Sequence, residues 1–308
     1  MHTRQDYLRA VFYMLGASLC LAFFGVFSHD GVQLSSVSLA VFARFFVPCL
    51  IGVFPWLFVT VRGRALDWGD LFGGPLYIPM IRAVSVIIAH YAFFTCVTHM
   101  ALVDAVLLFN TAPLFIPVIE RLVFKQRVAV RVRICLAVAF VGVACIMKPS
   151  DGLFDPYALL GLVSGAGLAI SQICLLHGSR YYSMFANMFH LYAFSSILAL
   201  LPLVFVYGRE LTQTLVVSMF DETAFFIFLA LALSSIGNQY MRTHALRCVE
   251  QAAVLAPYMY LSVVFSGILG WALWGQVPDR WSLIGMVLVL GQGIFLVMPS
   301  RSRAKGLS

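Results

Sequence analysis

"ALVDAVLLFNTAP", Ala101 to Pro113, and "ALRCVEQAAVLAP", Ala245 to Pro257, both open on Ala-Leu and close on Ala-Pro at the same internal spacing, 144 positions apart. One match between two apolar stretches says little, because few residue types are in play. Two further pairs follow in the same order: Leu15-Gly16 with Leu160-Gly161, and "MKPS" at Met147 to Ser150 with "MPS" at Met298 to Ser300. The last offset is about six residues larger because the second copy carries extra residues after its proline. The pattern reads as a duplication.

What is duplicated follows from composition. The chain is 62% hydrophobic and 11% charged, with a mean hydropathy of +0.95, which is outside the range of soluble domains. Apolar runs lie at 10–28, 37–61, 75–97, 101–124, 131–148, 156–178, 184–207, 224–242, 250–274 and 281–298. Each is close to the length that crosses a hydrocarbon layer of about 30 Å at about 1.5 Å per helical residue. The expected fold is an all-α integral membrane protein of ten transmembrane helices. The matched pairs sit five spans apart, so the expected units are 10–148 and 156–298, with 299–308 as a tail. Five is odd, so the second unit enters the membrane from the opposite side to the first. Inverted repeats of this kind support alternating access to a central site.

Charge gives the orientation. The inner loops and tails hold fourteen basic residues, from Arg4 and Arg9 through Arg242 to Lys305, whereas the outer ones hold Lys148, Arg209 and Arg280. That bias puts both termini in the cytoplasm and explains the net charge of +7 as topology. It leaves no basic domain for nucleic acid. Arg4 and Arg9 before an apolar run also fit a secretory leader, but no small-x-small site follows, and the run is read as a retained first span. The seven cysteines lack metal spacing and read as small core residues. No metal or cofactor is expected.

Several motifs resemble a known family. "RAVSVIIAHYAFFTCVTHMALVDAVLLFNTAPLFIPVIERLVFKQRV" and "APYMYLSVVFSGILGWALWGQVPDRWSLIGMVLVLGQGIFLVM" resemble the two halves of EamA-type carriers of the drug/metabolite transporter superfamily. The shared features are Arg82 opening span 3, the Ala-Pro of spans 4 and 9, Ala-Pro-x-x-Tyr ending at Tyr260, Gly270-Trp271 and Trp274-Gly275. Within the superfamily, "FARFF" at Phe42 to Phe46, "MKPSDGLFDP" and "APYMYL" followed by "VPDR" look most like S-adenosylmethionine uptake carriers of intracellular bacteria. Where the family usually has Gly-Glu, this chain has Lys125-Gln126 and Gly275-Gln276. The departure bears against any role there for an ionised carboxylate.

Candidate site residues are polar or helix-breaking groups within spans. Pro113, with Pro117, and Pro257 interrupt spans 4 and 9, each freeing the carbonyl four residues earlier, at Phe109 and Ala253. A packed kink and a substrate-lining break are both open readings. Polar side chains in a span cost at least about 2.5–3.5 kcal/mol for an arginine at a helix centre, so each needs a partner or a wet cavity. Arg44, Arg82, Asn110, Glu120, Gln172, His190, Asn238 and Gln239 are of this kind. Arg82 either pairs with Glu120 or receives a substrate carboxylate in a bidentate fork. His90 with Tyr91, and Tyr258 with Tyr260, offer aromatic faces to a cation or an adenine ring. The substrate-binding set is therefore Arg82, His90, Tyr91, Asn110, Gln172, Asn238, Tyr258 and Tyr260.

Asp104 and Glu250 stand near the starts of spans 4 and 9, where the helix N-terminus favours a carboxylate; proton coupling is the alternative. His99-x4-Asp104 resembles an acyltransferase pattern without the domain that such enzymes need, and no GxSxG, HExxH or Walker A pattern occurs. Gly161 to Gly165 reads as a close-packing face. The reading is a secondary transporter, not an enzyme, moving a small molecule across a bacterial inner membrane among lipids, with S-adenosylmethionine uptake as the substrate expectation. Its exchange for S-adenosylhomocysteine is a further option. Export of amino acids or amphipathic drugs is the main alternative, ahead of a membrane enzyme or a lipid-carrier flippase.

Overall fold

The computed structural model describes residues 4–61, 71–125, 156–208, 221–248, 261–277 and 279–297, together with Ile134, Ala137, Val138, Val141, Gly142, Cys145 and Tyr258. Among them the protein is helical, without strands. The helices are α1 (Arg4–Leu34), α2 (Val37–Val61), α3 (Tyr77–His99), α4 (Leu102–Phe109), α5 (Ala112–Phe124), α6 (Pro156–Gly178), α7 (Met184–Tyr207), α8 (Glu222–Arg247), α9 (Leu261–Trp274) and α10 (Arg280–Val297). Six stretches of the described residues, over α1, α3, α4 with α5, α6, α7 and α8, are long and apolar enough to cross a membrane. In 131–148 every described residue is helical.

Helix ends follow local chemistry rather than hydropathy. α1 runs well past the apolar core of 10–28 at both ends, because a helix continues through polar residues until something stops it. Between α1 and α2, Ser35 donates to the Gly31 carbonyl (2.6 Å) and Ser36 accepts the Leu39 N–H (3.1 Å). Ser183 caps α7 and Asp221 caps α8, accepting the N–H groups of Ala186 and Ala224, as side-chain oxygens do at helix starts. α9 ends at Gly275, whose φ of 65° suits a residue without Cβ. This turn aims Gln276 at α4, where its Oε1 accepts the Leu102 N–H at 2.9 Å.

Span 4 is broken. α4 stops at Phe109, Asn110 and Thr111 carry the chain across, and α5 starts at Ala112 with Pro113 in its first turn. The proline has no N–H to give the preceding turn, so it restarts the helix instead of continuing it. The small face of α6 lies on this break: a Cβ at Gly165 would meet Thr111 Oγ1 and the Leu108 carbonyl, and one at Gly161 would meet the Leu108 side chain. The most extensive helix pairings are α1 with α8 and α3 with α6, followed by α2 with α7, α3 with α7, α1 with α9 and α2 with α8. Phe24, Phe45, Phe93, Phe94, Leu107, Leu108 and Phe109 fill the core between them. Outward faces are apolar, as a lipid solvent demands; Phe205 and Trp271 stand on them. The protein is a multi-pass membrane protein.

A polar cavity at the helix crossing

The helix α8 shows how a site is built inside an apolar bundle. Ser235, Asn238, Gln239 and Arg242 stand at i, i+3, i+4 and i+7 and so share one face. That face lines a cavity of about 60 Å³ with Ser171 and Gln172 of α6, His90 of α3, Arg44 of α2 and Asn110 after α4. Leu21, Phe24, Phe109 and Leu191 complete the wall. The volume holds a few waters, below the roughly 300 Å³ of an ordinary ligand pocket.

Most of these polar groups are tied across helices. Arg242 Nη2 donates to Gln172 Oε1 (2.7 Å), joining α8 to α6. Asn238 Nδ2 donates to the Ala17 carbonyl of α1 (2.7 Å), and Asn110 Nδ2 donates to Ser262 Oγ of α9 (3.2 Å) and to the Val106 carbonyl (2.8 Å). His90 Nδ1 sits 2.8 Å from the Val86 carbonyl. A carbonyl only accepts, so Nδ1 carries a proton and donates it there. The ring is packed edge-on to Phe24, Phe45 and Phe109 at 5.1–5.9 Å.

Arg44 differs. It is 5% exposed, and its Nε and Nη1 have no hydrogen-bond partner. Its guanidinium carbon lies 4.6 Å from the Phe45 ring centroid, 5.0 Å from that of Phe24 and 5.9 Å from that of Tyr192. Cation–π attraction of about 0.5–2 kcal/mol offsets part of the desolvation. Rings accept no ordinary hydrogen bond in the guanidinium plane, however, and a bare buried donor costs about 1–3 kcal/mol, more when charged.

The expected site residues divide. His90, Asn110, Gln172 and Asn238 line the cavity. Arg82 is buried outside the lining, and its Nη1 donates to the Asn187 carbonyl of α7 (3.0 Å); the Glu120 side chain lies outside the described residues. Tyr91 packs against the main core. Tyr258 is in a separate cluster near α1, its hydroxyl 3.2 Å from that of Tyr7 and its carbonyl accepting from Ser18 (2.6 Å). Pro113 opens α5, while Pro257, Tyr260, Ala253 and Glu250 lie outside the described residues. His99 of the His-x4-Asp pattern stacks on Tyr157 with ring centroids 3.8 Å apart.

Arg242 corrects the sequence reading, which counts it in an inner loop. It belongs to α8, which extends to Arg247. Arg247, counted with it among the inner basic residues, is the last residue of the same helix. The signal that finds Arg242 is its position four residues after Asn238, on the same face. Among the described residues no cluster of three or more His, Cys, Asp or Glu could hold a metal.

Comparison with known proteins agrees with this architecture. Residues 8–148 match the EamA-like transporter family. The chain is 27% identical over 216 residues to the Pseudopaline exporter CntI of Pseudomonas aeruginosa, covering 69% of this chain and 72% of that one. It is 22% identical over 272 residues to an S-adenosylmethionine uptake transporter of Rickettsia felis, covering 87% and 84%. A solved crystal structure with 15% identity matches with a TM-score of 0.59 over 96% of this chain and 99% of its own.

Proposed function

We propose that this chain, a transporter of the EamA type, carries a small polar metabolite through the cavity by alternating access between two inverted five-span units, 10–148 and 156–298. The observation that carries the reading is the cavity itself. Polar side chains from α2, α3 and the α4 break on one side, and from α6 and α8 on the other, converge inside helices that cross the membrane, where they are costly unless they serve a wet path. The helix pairings support the inversion. Shifting each span by five turns α1–α8 into α6–α3, α3–α7 into α8–α2, and α1–α9 into α6 with the broken span 4; each image is present, and α2–α7 maps onto itself. The small volume, about 60 Å³, supports reading this conformation as a closed one. Opening then requires the ties between the units, Asn238 to Ala17, Asn110 to Ser262 and Arg82 to Asn187, to slip.

S-adenosylmethionine uptake is the substrate reading to test first. It is supported by the Rickettsia relatives so named, at 22–24% identity, by guanidinium groups suited to a carboxylate, and by Phe24 and Phe109 as faces for an adenine ring. Exchange for its demethylated product fits a cavity in which no lining residue among those described is acidic. Export is the second reading, favoured by the likeness to the Pseudopaline exporter CntI. The basic bias supports an inner-membrane orientation with both termini, including the tail 299–308, in the cytoplasm. Cells expressing the protein should accumulate radiolabelled S-adenosylmethionine above vector controls; equal counts would eliminate that substrate. Terminal tags reporting from opposite sides of the membrane would eliminate the inverted pair.

A further inference from the structure

We propose that the Arg44 guanidinium is the receptor for an anionic oxygen group of the transported molecule, a carboxylate or a phosphate, so that cargo without such a group is not held. This rests on the reading of the cavity as the transport site. Two cations line it, Arg44 and Arg242, with no acidic residue among the described lining residues. Arg242 already donates to Gln172 Oε1. Arg44 is just as much part of the wall, yet its Nε and Nη1 are without hydrogen-bond partners.

The aromatic surroundings explain why it is held in that state. Phe24, Phe45 and Tyr192 gather round the guanidinium carbon, and attraction to ring faces together with a side-chain hydrogen bond to Tyr192 fixes the charge in place while Nε and Nη1 stay unused. A guanidinium has two edges able to take a carboxylate or phosphate bidentately. Each edge of Arg44 includes one of the bare nitrogens. The rings therefore position the fork, and the missing acceptor is one that the cargo brings. Tyr192, hydrogen-bonded to Arg44, is itself anchored, its hydroxyl 3.3 Å from Ser235 of α8, which couples the ring to the helix that supplies most of the polar wall.

The test uses full-length protein in lipid nanodiscs and proteoliposomes with probe pairs that differ by one anionic group. These are S-adenosylmethionine against its decarboxylated form, methionine against 3-methylthiopropylamine, glutamate against 4-aminobutyrate, and phosphoserine against serine. Binding is read by thermal shift and carriage by mass spectrometry of vesicle contents. In at least one pair the anionic member should bind about 30-fold or more tightly, the pair showing which oxyanion is recognised. The difference should vanish in Arg44→Gln and shrink in Arg44→Lys, with both variants checked by size-exclusion chromatography. Equal binding of both members in every pair of the wild type overturns the proposal, and this arm needs no variant to fold. So does an undiminished difference in well-folded Arg44→Gln. Anionic probes bound but never carried would leave the receptor standing and remove the transport reading; amines carried as well as acids would do the reverse.

Discussion

Arg44 on α2 and Arg82 on α3 carry the same charge, are buried to the same degree and occupy neighbouring spans. Arg82 keeps one bare nitrogen, Nε, but is tied to the backbone: its Nη1 donates to the Asn187 carbonyl and so bolts α3 to α7. Arg44 faces rings and a cavity, with two nitrogens unanswered. The contrast teaches that burial of a charge within a membrane does not separate glue from site. The partner does: a group whose hydrogen bond is made inside the protein contributes stability, whereas one left open by its surroundings stands ready for something that comes and goes.

The sharpest way to break this comparison is Arg44→Met. The replacement keeps length and apolar contact with Phe24 and Phe45 while removing a cation with bare donors. Binding and carriage of an anionic cargo should fall by about 30-fold or more. Thermal stability should stay level or rise, because the variant no longer buries uncompensated donors. A variant that is both inactive and clearly less stable would place Arg44 with Arg82 as glue.

Arg82→Ala should behave oppositely. It removes the charge-assisted hydrogen bond that ties α3 to α7, worth about 1.5–3 kcal/mol, so lowered thermal stability accompanies any loss of transport. Arg82→Lys keeps a cation and a donor and should recover part of that stability. If Arg82→Ala abolishes substrate binding in protein as stable as the wild type, Arg82 is a binding residue after all, as the sequence alone allows.

That ambiguity marks where the sequence stops being legible. The spans are readable because lipid demands long apolar helices, and α2, α6 and α7 follow the expected 37–61, 156–178 and 184–207. Ends are less so: α1 and α8 run beyond their apolar runs because hydropathy measures transfer to lipid, not helix continuation. Asn110, Gln172, Asn238 and His90 are conspicuous as polar residues in spans, and all four line the cavity. Arg242 is hidden by its nearness to a span end, although its spacing from Asn238 gives its face away. Tyr258 misleads for a different reason. Tyrosine is amphipathic and suits many interfaces, and nothing local to "APYMY" says that its hydroxyl meets Tyr7.

Gly165 extends the comparison to a contact without charge. An added Cβ would press on the Thr111 hydroxyl and sit 2.8 Å from the Leu108 carbonyl, and backbone does not yield cheaply. Gly165→Ala should cost about 1–3 kcal/mol through overpacking. Since α6 rests there on the break in span 4, thermal shift should fall together with the apparent opening rate in a fluorescence assay across the cavity. Lowered stability with unchanged opening would make the break a static kink.

The smallest effect concerns Gln276, which like Arg82 spends its polar group on backbone, accepting the Leu102 N–H at the start of α4. A carboxylate accepts that bond equally well, and the positive end of a helix favours it by about 0.3–1 kcal/mol. Gln276→Glu, the residue that the resemblance leads one to expect there, should therefore raise stability slightly and leave transport and its pH profile unchanged. Gln276→Leu, which leaves the N–H uncapped, should lower stability by about 0.5–2 kcal/mol. A transport rate that becomes newly pH-dependent in Gln276→Glu would show that a carboxylate at this helix end couples to the cycle, and that the neutral amide of this chain has uncoupled it.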